Sequence, residues 1–95
     1  MTSSSGPRRV VVLVRPERVA EGLRTAAALP LADNEVQVLL LGAELPDTPE
    51  VALGLDNLEL SDIPLFGCFA DPRIATATPE EFVRRLGECD HVLTF

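Results

Sequence analysis

Ile63-Pro64-Leu65-Phe66-Gly67-Cys68-Phe69-Ala70-Asp71-Pro72-Arg73 is the stretch on which the reading of this chain turns. Ile63 to Gly67 is apolar on successive residues rather than alternate ones, the pattern of a parallel strand covered on both faces. Pro64 is compatible with a strand only near its start, where the missing N–H need not join a ladder. Gly67 loosens the backbone and Asp71-Pro72 signals a turn. Cys68 is therefore expected at or just past the carboxyl end of a strand, the edge at which open α/β sheets place ligands and chemistry.

Moving outward from that strand, the same alternation of buried strand and amphipathic helix recurs. Val10-Val11-Val12-Leu13-Val14 is a β-branched, unbroken first strand. Pro16 suits the opening of a helix, with Glu17 and Glu21 favouring its first turns. Val19, Ala20, Leu23, Ala26 and Ala27 then give one apolar stripe at helical spacing. Gly22 inside that helix marks close packing on the sheet, and Pro30 ends the helix before an Asp33-Asn34 turn. Val36 to Leu41 is a second buried strand, closed by Gly42. From Ala43 to Asp62 the pattern weakens: Thr48-Pro49 caps a short helix through Leu53, which Gly54, Asp56 and Asn57 are expected to break.

Beyond the opening stretch, Ile74 to Thr76 reads as a brief edge strand. Thr78-Pro79-Glu80-Glu81 combines an N-cap Thr, a Pro at the first helical position and a Glu three residues after the cap. Phe82, Val83 and Leu86 form the inward stripe of that helix, which stops near Gly87. His91 to Phe95 is a final strand. Residues 1–8 read as a flexible tail and 9–95 as one domain. The expected fold is α/β, a small three-layer α/β/α sandwich around a mainly parallel sheet of four to five strands.

Composition narrows the function. The apolar share of 46% comes from Val, Leu and Ala, with four Phe and no Tyr or Trp, so little aromatic surface is left for stacking on bases. The formal charge of −7 disfavours nucleic acid and anionic membrane as partners. All eight basic residues are Arg, and none lies between Arg24 and Arg73, a span with nine carboxylates. That middle is either a solvated acidic surface or a docking face for something basic. The apolar run at Val10 to Val14 is far too short for a signal or a span. Two cysteines, not spaced as a metal pair, read as free thiols in a reducing cytoplasm. No Gly-rich phosphate loop, paired ligand set or serine nucleophile elbow is present, so neither a metal nor a cofactor is expected.

The two cysteines differ in their surroundings. Cys89 follows the last helix between Glu88 and Asp90, and all three neighbours oppose a thiolate, so it reads as an inert packing residue. Cys68 lies past a strand end, where turn N–H groups or Arg73 can stabilise its anion. Position alone leaves both a reactive and a packed thiol open. His91 opens the last strand at the opposite edge of a parallel sheet and reads as a surface histidine charged in part by Asp90.

With these residues placed, the chain resembles the DsrE/DsrF/DsrH family, which includes the TusB, TusC and TusD sulfur-relay subunits. Glu21-Gly22-Leu23-Arg24, the Ala-rich helix after it and Glu35-Val36-Gln37-Val38-Leu39-Leu40-Leu41-Gly42 look like the family's first helix and second strand. Ile63-Pro64-Leu65-Phe66-Gly67-Cys68 looks like its apolar strand ending in the sulfur-carrying cysteine of DsrE and TusD. Glu88-Cys89-Asp90-His91-Val92-Leu93-Thr94-Phe95 is similar to its closing strand. Two departures stand out. Ala43 to Asp62 is shorter than the usual middle, implying a reduced helix, and Asp71 stands where some members carry a second cysteine.

The resemblance implies a DsrE-like domain and a cytoplasmic sulfur carrier, a sulfurtransferase of persulfide-relay type. Cys68 would hold sulfane sulfur and pass it to a partner thiol, with Phe69, Asp71 and Arg73 binding the incoming group. The implied partners are sulfur donor and acceptor proteins and further subunits, in a homo-oligomer or a hetero-complex of related chains. Family members without the cysteine are structural subunits, so the alternative is a non-catalytic oligomer subunit or small-ligand-binding module in which Cys68 is structural.

Overall fold

The computed structural model describes residues 8–29 and 34–95. The tail expected over residues 1–8 lies outside them apart from Arg8, which already belongs to the first strand. Pro30 and Asp33 also lie outside.

Five strands form one sheet: β1 (Arg8–Val14), β2 (Asn34–Leu40), β3 (Leu65–Gly67), β4 (Ala75–Thr76) and β5 (His91–Thr94). Their order is β4-β3-β2-β1-β5 and every pairing is parallel. Three helices connect them: α1 (Val19–Ala28), which a 3-10 turn at Pro16–Arg18 precedes, α2 (Pro49–Leu60) and α3 (Pro79–Glu88). Right-handed crossovers explain the layering. From β1 through β3 the chain steps across the sheet in one direction, which puts α1 and α2 on the same face. The return from β4 to β5 runs the other way and puts α3 on the opposite face. The result is an α/β/α sandwich, as the sequence pattern predicts.

The two layers are unequal. Val10, Val12, Val14, Val36, Val38, Leu40 and Leu65 point toward α1 and α2, where they bury Val19, Leu23, Ala26, Val51 and Leu58. Among the described residues the α3 side has only Val11, Leu39, Ala77 and Phe82 fully covered in its core, with Leu13, Phe66, Leu86 and Cys89 half-buried around them. Gly22 carries α1 close to β1: a Cβ there would lie 2.5 Å from a methyl of Val14.

The middle of the chain departs from its sequence reading. The helix expected to break at Gly54 runs unbroken for 12 residues. Gly54 is a contact point, not a breaker, because a Cβ would sit 2.8 Å from Cβ of Leu23 and α1 packs directly on it. Val51, Gly54 and Leu58 form the buried stripe, while Asp56 and Asn57 simply face outward. Thr48 caps the helix by accepting from the Val51 N–H at 3.2 Å. It ends in a Schellman motif: Asp62 adopts φ 57°, its N–H donates to the Glu59 carbonyl at 3.1 Å, and the Ile63 N–H donates to that of Leu58 at 2.9 Å. The reduced helix implied by the family resemblance is thus corrected to a full one.

Smaller differences follow local geometry. The regular part of β3 is shorter than Ile63 to Gly67, because Pro64 has no N–H to donate, although its carbonyl still accepts from Val38 at 2.9 Å. On α3, Thr78 and Glu81 form the reciprocal capping box that the sequence predicts. Val83, expected to face inward, is 70% exposed. Phe82 and Leu86 lie one turn apart on the sheet side, which turns Val83 about 100° away.

Candidate functional site

Cys68 follows the last residue of β3 directly and is an exposed, free thiol. Its loop, running to β4, is fastened at several points. Gly67 is buried and pairs with Leu40 and Thr76 in the sheet. A Cβ at Gly67 would lie 2.7 Å from both the Phe69 ring and the Ile74 side chain. The missing side chain therefore lets these two residues fold back over the strand end, where both pack against the main core. The Phe69 carbonyl accepts from the Thr76 hydroxyl at 3.3 Å.

Asp71 and Arg73 form the second fastening. The Asp71 carboxylate accepts from the Arg73 backbone N–H at 2.9 Å, from Nε at 3.0 Å and from Nη2 at 2.8 Å. These bonds hold the Asp71 carboxyl at about 2, below its ordinary 3.8, with the Arg73 side-chain hydrogen bonds the larger cause and the backbone one next. Arg73 also donates to the carbonyls of Leu45 at 2.9 Å and Pro46 at 3.4 Å, and lies 3.9 Å from Asp47. The cysteine loop is thereby tied to the segment between β2 and α2. Of the residues expected to bind the incoming group, the structure brings Asp71 and Arg73 together, gives both of them loop-holding partners and places Phe69 against the core. The hydrogen bonds of Arg73 run to Asp71 and to these carbonyls and not to Cys68.

Cys89 is half-buried against the α3-side core, and its thiol donates to the Leu86 carbonyl at 3.1 Å. His91 stands apart from the cysteine loop. Gly67 is level with Leu40 and Val14, whereas His91 is level with Val10, four residues back. That is ~13 Å along the strands and ~14 Å across three strand spacings. The carboxylate of Asp90 does not serve His91 as expected: it accepts from the Arg9 backbone N–H at 2.8 Å. His91 meets Arg8 instead, whose Nη1 lies 3.2 Å from Nε2. A guanidinium only donates, which makes Nε2 the acceptor.

Sequence reasoning missed a second feature of the same edge. The chain leaves β1 toward one face and reaches β5 from the other, so the topological switch point lies between these two strands. A small crevice of about 220 Å³ opens there, lined by Leu13, Arg15, Leu41, Thr94 and Phe95. Arg15, in its lining, donates from Nε to the Phe95 carbonyl at 3.1 Å. Cys68 therefore lies at the carboxyl edge of the sheet but away from its switch point. Only the strand order, which no local sequence pattern encodes, reveals this.

Among the described residues no group of three or more His, Cys, Asp or Glu is placed to hold a metal ion. No helix among them is long and apolar enough to cross a membrane. Comparison of the sequence with family models gives no match, and comparison with curated proteins gives none either. Among solved structures, the crystal structure of the ychN protein from E. coli superposes with a TM-score of 0.71 at 17% identity. The match covers 93% of this chain and 99% of that one. At this identity the likeness is one of fold: the chain shares the α/β architecture of ychN.

Proposed function

We propose that this protein is a sulfur carrier that holds sulfane sulfur as a persulfide on Cys68 and hands it to a partner thiol. The observation that carries this reading is the contrast between the two cysteines. Cys68 is exposed on a well-fastened loop at the carboxyl edge of a parallel sheet, while Cys89 is half-buried and hydrogen-bonded. The resemblance of the sequence to the DsrE/DsrF/DsrH family agrees with it, and the α/β fold shared with ychN is compatible with it.

The chemistry asks little of the surrounding residues. The Cys68 thiolate attacks the outer sulfur of a donor persulfide; the new S–S bond forms as the donor's S–S bond breaks, and the donor leaves as a thiolate. In the second step an acceptor thiolate attacks the outer sulfur on Cys68 and the Cys68 thiolate departs. No net oxidation occurs. Phe69, Asp71 and Arg73 serve by fixing the loop on which the incoming group is received. Donor and acceptor are proteins of a reducing compartment such as the cytoplasm.

The test is intact-mass measurement after incubation with a persulfide donor. The native protein is expected to gain about 32 Da, the mass of one sulfur, and Cys89→Ser to keep that gain. Cys68→Ser is expected to lose it while remaining folded. A gain that survives in Cys68→Ser would overturn the assignment.

A further inference from the structure

An open groove of about 840 Å³ runs between α2 and the β3–β4 edge of the sheet, on the face opposite α3. Leu55, Ile63, Leu65 and Ile74 supply its apolar floor, and Asp47, Asp56, Glu59 and Asp62 stand around it. The one cation in its lining, Arg73, is already spent on Asp71, on Asp47 and on two backbone carbonyls. Among the described residues Asp56, Glu59 and Asp62 have no ion-pair partner. The groove thus joins an apolar floor, in which Leu55 and Ile74 are half-exposed over the buried Ile63 and Leu65, to a rim of uncompensated negative charge. It also borders β4, the edge strand, so a second backbone can approach from that side.

We propose that this groove docks a basic segment of a partner protein, with apolar side chains seated on Leu55 and Ile74 and Arg or Lys side chains set against the carboxylates of α2 and Asp62. Charge complementarity selects the partner's sign and the apolar floor its spacing. An acidic or anionic segment would meet only repulsion. A free cation would leave the floor uncovered. This inference is independent of the chemistry at Cys68 and stands or falls without it.

The experiment uses the full chain and a short fluorescein-labelled peptide of alternating Arg and Leu, with binding read by fluorescence anisotropy. Three control peptides alternate Arg with Ser, Ser with Leu, and Glu with Leu. The Arg–Leu peptide is expected to bind at least about tenfold more tightly than each control, and to weaken as salt is raised. Asp56→Asn/Glu59→Gln is expected to weaken it by about fivefold. Glu80→Gln/Glu88→Gln removes the same charge from α3 and is expected to change it by less than about twofold. Both pairs lie at exposed positions, and a melting scan of each checks that it is folded. No binding of the Arg–Leu peptide overturns the proposal, as does equal weakening by the two double variants. Equal binding of Arg–Ser reduces the groove to an acidic surface, and equal binding of Ser–Leu to a general apolar one; either result overturns it too.

Discussion

Gly67 and Cys68 are neighbours with opposite surroundings. Gly67 has no room for a single added carbon, whereas Cys68 is open to solvent. Gly67→Ala is expected to displace Phe69 or Ile74 and destabilise the protein by about 1–3 kcal/mol, read by chemical denaturation. Native iodoacetamide labelling should reach Cys68 well before Cys89, and equal protection of both thiols until denaturant is added would contradict the proposed carrier role. Cys89→Ser is expected to cost no more than about 1 kcal/mol, since a hydroxyl can inherit the bond to the Leu86 carbonyl. Asp71 gives a pH signature. Its carboxyl is depressed in the folded state, so its contribution to stability is fully present above its ordinary 3.8 and is lost as pH falls toward about 2. A carbon-13 titration of the Asp71 carboxyl should therefore have its midpoint well below 3.8; a midpoint at the ordinary value would mean that Arg73 does not hold it. The position of Cys68 was legible from Gly67 and the Asp71-Pro72 turn. The carbonyl partners of Arg73 were not, because they belong to a loop 27 and 28 residues away.

At the scale of elements, α2 is the instructive case. A local signal for its start was present in Thr48-Pro49, yet Gly54 reads as a breaker when propensity alone is weighed. Contact with Leu23 reverses that reading: the glycine admits the neighbouring helix and the burial it allows outweighs the roughly 1 kcal/mol it costs locally. Gly54→Ala, stabilising on propensity, is instead expected to destabilise by about 1–3 kcal/mol because its Cβ would collide with Leu23. Asp62→Gly is expected to do the opposite, gaining about 1 kcal/mol by removing the left-handed penalty at the Schellman position. Thermal and chemical denaturation of the two variants check both signs. The capping box of α3 was legible outright, since all of its groups lie within four consecutive residues.

At the scale of the whole molecule, alternation of strand and helix was enough to predict a parallel α/β/α sandwich, but not how unevenly its layers are filled. One helix covers the face that two helices cover on the other side, and Leu41 and Val92 are left exposed on its sheet at 38% and 42%. We expect self-association or association with related chains through that thinner layer, which light scattering at micromolar concentration tests; Leu41→Glu/Val92→Glu should then shift the assembly toward monomer. A native protein that stays monomeric throughout, with no copurifying partner, would remove this expectation.

The placement of β5 has a temporal meaning as well. Along the chain it follows the other four described strands, and it pairs with β1, which precedes them. Until the ribosome has extended the chain through β5, β1 can zip onto β2 alone, so one flank of Val10 to Val14 waits unpaired for that interval. Contacts so distant in sequence close late and slowly. During that interval the apolar strand β1 is open to any neighbouring nascent chain, and exchange of β5 between two copies would be the natural error.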